Sequence, residues 1–153
     1  MKYECTLIVV TDMEESKAFY KTVLGLDIVT DFGANVVLTG GIALQTFKTW
    51  REFIGRDDIT FQSNVAELVF EEDDFDGFLD RVDDVKFVHP PIEHSWGQRV
   101  VRFYDPDGHV IEVGENMRVV TQRFIDMGLS IGETAKRMGI AEEYVQSMLN
   151  NKK

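Results

Sequence analysis

The chain has 153 residues, 44% of them hydrophobic, with 16 Lys+Arg against 27 Asp+Glu and a formal net charge of −11. A chain of this length buries about 70% of the surface its unfolded form exposes, so a soluble domain can hold without staples, and the lone Cys5 excludes an internal disulfide and points to a reducing, cytoplasmic setting. No uncharged apolar run approaches the ~18 residues of a membrane span, the N-terminus carries no signal-peptide pattern, and the acid surplus works against nonspecific binding to nucleic acid or membrane.

Tyr3–Val10 is rich in β-branched residues and reads as a strand that ends at Thr11-Asp12. Met13–Leu24 follows with near-helical apolar spacing, Asp12 as N-cap, Glu15 three residues on, and Gly25 as the stop. Strands are predicted at Asp27–Phe32, Asn35–Thr39 and Ile42–Thr49, separated by Gly33 and Gly40-Gly41. The order β-α-β-β-β then recurs. It begins with a strand at Asn64–Glu71 and a helix at Phe75–Val82 behind an acidic start, followed by strands at Lys86–His89, Arg99–Tyr104 and His109–Gly114. Asp105-Pro106-Asp107-Gly108 is the strongest turn signal, because Pro presets φ, Asp bonds its own backbone and Gly accepts positive φ.

Setting Cys5 against Glu67, an offset of 62, aligns strand exit and acidic helix start in both halves and predicts an internal repeat. Halves of about 1–58 and 62–116 would join their sheets with the helices outside, leaving a pocket between the sheets. The expected fold class is therefore α+β: two βαβββ repeats forming a curved mixed sheet around a pocket, plus a C-terminal helical tail. Residues 117–153 carry a charge of +2 against −13 for residues 1–116, and they read as helices with a capping-box spacing at Ser130 and Glu133 and a break at Gly139.

The βαβββ pair, Ser16–Leu26 (SKAFYKTVLGL) and Val101–Val113 (VRFYDPDGHVIEV) resemble the vicinal oxygen chelate superfamily over residues 1–116. That superfamily includes glyoxalase I, extradiol dioxygenases, and the fosfomycin and bleomycin resistance proteins. The resemblance implies a small-molecule ligand and a homodimer, and its metal-ligand positions fall on Cys5, Gln45, Glu67 and Glu112. Glyoxalase I carries His or Glu at these places, whereas a neutral amide is a poor ligand for a catalytic ion and a thiolate favours zinc. Strand alternation puts Val110 and Glu112 on one face, and the resemblance to fosfomycin resistance enzymes adds Arg102, Val100 and Tyr104. A guanidinium there satisfies Glu112 or Glu67 without any metal. Glu93–Arg99 (EHSWGQR) implies a loop at the cavity mouth, with His94 as proton acceptor and Trp96 as stacking surface. Phe47, Trp50 and Phe61 are further candidates for the pocket lining or for the core, and His109, directly after a turn, is expected at the surface.

The preferred reading is a protein that binds or transforms a small molecule without the standard glyoxalase metal set. Its candidate catalytic residues are Glu112, Glu67 and His94, and its candidate pocket residues are Gln45, Phe47, Trp50, Trp96, Arg102 and Tyr104. The alternative is a divalent-metal-dependent lyase, isomerase or dioxygenase that uses one ion at Glu67, Glu112, Cys5 and Gln45. A third reading has the helix-turn-helix-like tail touching nucleic acid; Glu142 and Glu143, at the start of the would-be recognition helix, disfavour it.

Overall fold

A computed structural model describes residues 1–82 and 84–150; Asp83 and residues 151–153 lie outside the described residues. The elements are β1 (Thr6–Val10), α1 (Met13–Leu24), β2 (Ile28–Asp31), β3 (Asn35–Leu38), β4 (Ile42–Thr46), α2 (Phe47–Ile54), β5 (Glu67–Glu72), α3 (Phe75–Arg81), β6 (Lys86–Glu93), β7 (Arg99–Tyr104), β8 (Val110–Glu115), α4 (Met117–Asp126), α5 (Ile131–Met138) and α6 (Glu142–Asn150). They form two four-stranded mixed sheets of the same topology, β1-β4-β3-β2 and β5-β8-β7-β6. The fold is α+β, and the βαβββ unit occurs twice, with α2 added to the first copy.

By chain contacts the molecule has two compact units, residues 1–66 with 104–109, and residues 67–103 with 110–153. In the first, β1 runs parallel to β4 with Val9 opposite Gln45, and β3 is antiparallel to both β2 and β4. Helix α1 starts where Asp12 accepts a hydrogen bond from the Glu15 amide and ends at Gly25, whose φ of 68° would strain any other residue. Tyr20 from α1 and Val10, Val36, Leu38 and Leu44 from the sheet are buried.

Two elements differ from the sequence reading. Ile42–Thr49 is not one strand: β4 stops at Thr46, and α2 runs amphipathically to Gly55, which adopts a left-handed φ of 64°. Strand β6 passes through Pro90-Pro91 to Glu93, because it lies at the sheet edge, where a missing N–H need not cost a ladder bond.

The turn at Asp105–Gly108 belongs to the first unit and is not a surface turn. Asp105 is buried. Its carboxylate accepts from Tyr20 Oη at 2.9 Å and from the amides of Asp107 and His109 at 3.0 and 2.8 Å, and it lies 2.7 Å from His109 Nδ1. Asp107 accepts from the Thr11 amide and from Thr11 Oγ1 at 2.6 Å. His109, expected at the surface, is a half-buried partner of this cluster. Burial alone would lower its pKa, but the hydrogen bond and charge of Asp105, with Asp107 behind it, leave it raised. Burial and the Asp105 charge also push the Tyr20 hydroxyl far above its ordinary value.

In the second unit, Phe75 and Phe78 from α3 pack with Val101, Phe103, Ile111 and Val113 of the sheet. Helices α4 to α6 bury Val120, Phe124 and Met138, with Met117, Leu129, Ile140 and Met148 around them. The capping box at Ser130 and Glu133 forms, and Gly139 closes α5 with a φ of 69°.

Because the folded His109 pKa is raised, its contribution to stability is complete below the unfolded value of about 6.5 and is lost as pH rises through the folded value. Urea unfolding of the parent across this range should show that decline, and Asp105→Asn, which removes the charge, should flatten it. An unchanged slope in Asp105→Asn would reject the assignment.

Candidate functional site

Strand alternation sorts the second sheet into two faces. Leu68, Phe70, Val101, Phe103, Ile111 and Val113 lie on the face toward α3. The other face carries Glu67 and Val69 from β5, Val100 and Arg102 from β7, and Val110, Glu112 and Gly114 from β8. Parallel pairing sets Glu67 opposite Val110 and Val69 opposite Glu112, so the two glutamates are two register steps apart.

Arg102 bridges them. Its Nε donates to Glu67 Oε2 at 2.8 Å, and its Nη2 contacts Glu67 Oε1 and forms an ion pair with Glu112 Oε2. Nη1 stays outside these contacts. Glu112 is only 8% exposed, and its Oε2 rests against the Arg102 guanidinium. The face therefore offers one guanidinium edge that can polarise an oxygen and two carboxylates that can accept an N–H or a proton.

Further along the same face, Gly114 makes room for Gln98: a Cβ at Gly114 would sit 2.8 Å from Gln98 Nε2. Gln98 accepts from Trp96 Nε1 at 3.2 Å and donates to the Glu115 carbonyl at 3.0 Å. Trp96 stacks on His94 with ring centroids 4.2 Å apart and planes 15° apart. Both rings sit in the turn between β6 and β7, which is closed by the Gly97 amide donating to the His94 carbonyl.

Residues 3–118 match the Glyoxalase-like domain family. The chain belongs to this family, within the vicinal oxygen chelate superfamily. A protein of unknown function from Agrobacterium tumefaciens str. C58 is 39% identical, with a TM-score of 0.70 over 76% of this chain and 94% of that one. A glyoxalase-related enzyme from Fulvimarina pelagi (19% identity, TM-score 0.64, 76% of this chain and 90% of that one) shares the fold. So does a glyoxalase/bleomycin resistance protein/dioxygenase family enzyme from Burkholderia phytofirmans PsJN (15%, 0.63, 75% and 98%). No curated protein matches the chain. No helix among the described residues is long and apolar enough to cross a membrane.

The glyoxalase-like metal set does not fit these residues. The expected pairing of Cys5 with Gln45 fails on register. Cys5 precedes β1, the next residue's amide bonds Gly41 O, and Gln45 pairs with Val9, so the two are four steps, about 13 Å, apart along parallel strands. The offset of 62 holds for the helix caps, Asp12 and Asp74 (74 − 12), and for the ends of β1 and β5, Val10 and Glu72 (72 − 10), whereas setting Gln45 against Glu112 needs an offset of 60 on the first strands, since Val9 faces Gln45 as Val69 faces Glu112. With Gln45 set against Glu112 the position matching Glu67 is Leu7, and with Cys5 set against Glu67 the position matching Glu112 is Ala43, so either way one of the two places has no ligand atom. Gln45 is buried and already committed: Asn35 donates to its Oε1 at 3.0 Å, its Nε2 donates to the Ala34 carbonyl at 2.9 Å, and it contacts Thr49. Glu67 and Glu112 hold Arg102. Among the described residues no group of three or more His, Cys, Asp or Glu could hold a metal ion.

Of the other expected residues, Phe47 and Trp50 lie on α2, where Phe47 packs on Phe61 at 5.5 Å and under Arg51. Tyr104 ends β7 in the first unit. A depression of about 420 Å³ beside α2 is lined by Lys48, Arg51, Glu52, Gly55, Arg56 and Asp57; its arginines pair with Asp57 and Asp58. Sequence reasoning missed Glu115. Alternation puts it on the helix-facing side with Ile111 and Val113, and an acid among core positions was the available signal.

Arg102→Ala should destabilise the fold by about 1–3 kcal/mol, since the groups are partly screened, and Glu112→Gln in that background should restore part of the loss. A double-mutant cycle by urea unfolding gives the coupling; additive effects would mean the contact carries no energy.

Proposed function

We propose that this glyoxalase-like protein binds or transforms a small molecule on the Glu67–Arg102–Glu112 face of its second sheet, without a resident divalent ion. One observation carries the reading: a guanidinium already occupies the space between two carboxylates that would otherwise need a cation, and it contacts both of them. Two carboxylates have more acceptor sites than one guanidinium fills, so a ligand that supplies an N–H or O–H gains from the meeting. Two carboxylates and one guanidinium leave a charge of −1, which favours neutral or cationic ligands and repels free carboxylates. A ligand oxygen beside that donor would meet Arg102. Val100, between Arg102 and Gln98 on β7, is fully buried, so the polar end of the ligand is read at Arg102 itself.

The polar end can be tested with benzylamine, benzamide and benzoate at millimolar concentration, followed by amide NMR shifts. The amine and the amide should shift signals of residues 67–69, 100–103 and 110–114, benzoate should not, and Glu112→Gln should abolish the shifts. Preference for benzoate, or no response on this face, would sink the reading. The metal status has its own test: the parent should bind no stoichiometric Mn²⁺ in calorimetry, whereas Arg102→Ala, with its carboxylates released, should gain weak affinity. Stoichiometric binding to the parent would reverse this part of the proposal.

A further inference from the structure

The family match ends at residue 118, and the similar structures cover 75–76% of this chain, so most of α4 and all of α5 and α6 lie beyond the shared domain. What this addition touches is specific. Arg123 on α4 donates through Nη2 to the Gly97 carbonyl at 2.6 Å and to Glu115 Oε2 at 3.0 Å. Phe124, the next residue, lies so close to Gly97 that a Cβ there would sit 2.2 Å from its ring, and Gly97 holds a φ of 92° that an L-residue rarely adopts. The guanidinium groups of Arg123 and Arg137 lie over the Phe124 ring at 5.4 and 5.9 Å. Glu93, the last residue of β6, is 3.9 Å from both arginines.

Gly97 and Glu115 are also the two anchors of the Trp96 platform. Gly97 closes the turn onto His94, and the Glu115 carbonyl receives Gln98, which in turn accepts from Trp96. One residue of the tail thus grips the turn directly and, through Glu115, the strand beside it. Glu115 is fully buried. Burial would raise its pKa, but hydrogen bonds from Arg99 and Arg123 outweigh that and hold it below the usual carboxylate range, so it stays charged and keeps its grip on Arg123 at neutral pH.

We propose that the C-terminal helices act as a clamp on the His94–Gln98 turn, with Arg123 and Phe124 as positioning residues that hold Trp96 in its stacked geometry. For the reading of this sheet as a ligand site the consequence is that a ligand ring meeting Trp96 stacks on a plane set by the tail, which lies beyond the family match at residue 118. Because the clamp is built from a few contacts on an exposed turn, whatever displaces the tail also loosens the platform.

The test uses the full chain carrying Trp50→Phe, so that Trp96 is the only tryptophan. Trp96 is 37% exposed, so loss of the clamp should raise its quenching by acrylamide by up to about two- to threefold and shift its emission to the red. Arg123→Gln should produce this change with helical circular dichroism intact, and Arg123→Lys, which keeps a donor for Gly97, should lie closer to the parent. Phe124→Leu keeps the tail core apolar but removes the ring against Gly97, and it should produce the same change should Arg123→Gln lose its helices. Unchanged quenching in a variant with intact helices, or Arg123→Lys no better than Arg123→Gln, would overturn the clamp. The quenching needs no ligand, so it decides the clamp whether or not benzylamine binds at Arg102.

Discussion

A carboxylate taken out of water must be given a partner or it costs several kcal/mol, and a chain with 27 acids against 16 strong bases meets that constraint repeatedly. Among the described residues four acids are buried, Asp105, Asp107, Glu112 and Glu115, and each is satisfied by different chemistry. Asp105 takes a tyrosine hydroxyl, two amides and a histidine, and Asp107 takes a threonine. Glu115 takes two arginines, and those bonds join α4 to the end of β8. Glu112 takes Arg102, which it shares with Glu67. Three of the four are joints of the fold. The fourth shares its arginine with Glu67, which is exposed at the start of β5.

The two copies of the βαβββ unit keep the same strand order and the same helix start, yet their comparable positions have diverged. In the second copy, Glu67 and Glu112 stand two register steps apart and enclose Arg102. In the first, register allows Leu7 with Gln45 or Cys5 with Ala43 at the matching places but not Cys5 with Gln45, and Gln45 is absorbed into hydrogen bonds with Asn35 and Ala34 beside the start of α2. Duplication preserves topology because backbone pairing and core alternation are shared by both copies. It does not preserve a site, because a site depends on a few side chains whose loss costs the fold little.

Much of the fold was legible because local signals agreed. Helix α1 occupies Met13–Leu24 as its cap and glycine stop dictate, and the Ser130 capping box and the Gly139 stop lie where spacing put them. Helix α2 was hidden because Ile42–Thr49 is apolar and β-branched; eight residues are too few for periodicity to outvote composition, and Thr46 makes no side-chain cap bond. The extension of β6 was hidden because edge position, which makes Pro90 and Pro91 tolerable, is a property of the sheet. At the site, alternation alone put Glu112 with Val110, and the fosfomycin-enzyme likeness added Arg102. Cys5 and Gln45 do not come together because strand pairing decides which residues face each other across β1 and β4, and a sequence match does not show it.

The tail shows why an appendage cannot be read from its own sequence. Its composition and spacing resemble a helix-turn-helix, and three helices around Val120, Phe124 and Met138 do form. What those helices do is written in two residues whose significance lies elsewhere in the chain. Arg123 matters because Glu115 is an acid on the core-facing side of β8, and Phe124 matters because Gly97 has no Cβ. An arginine and a phenylalanine on an amphipathic helix are ordinary; a buried carboxylate and a left-handed glycine waiting for them are not. Both contacts lie within the chain, at Glu115 and Gly97, and neither calls for a surface that meets a polyanion. A helix-turn-helix pattern can therefore persist in a tail whose recognition helix begins with Glu142 and Glu143.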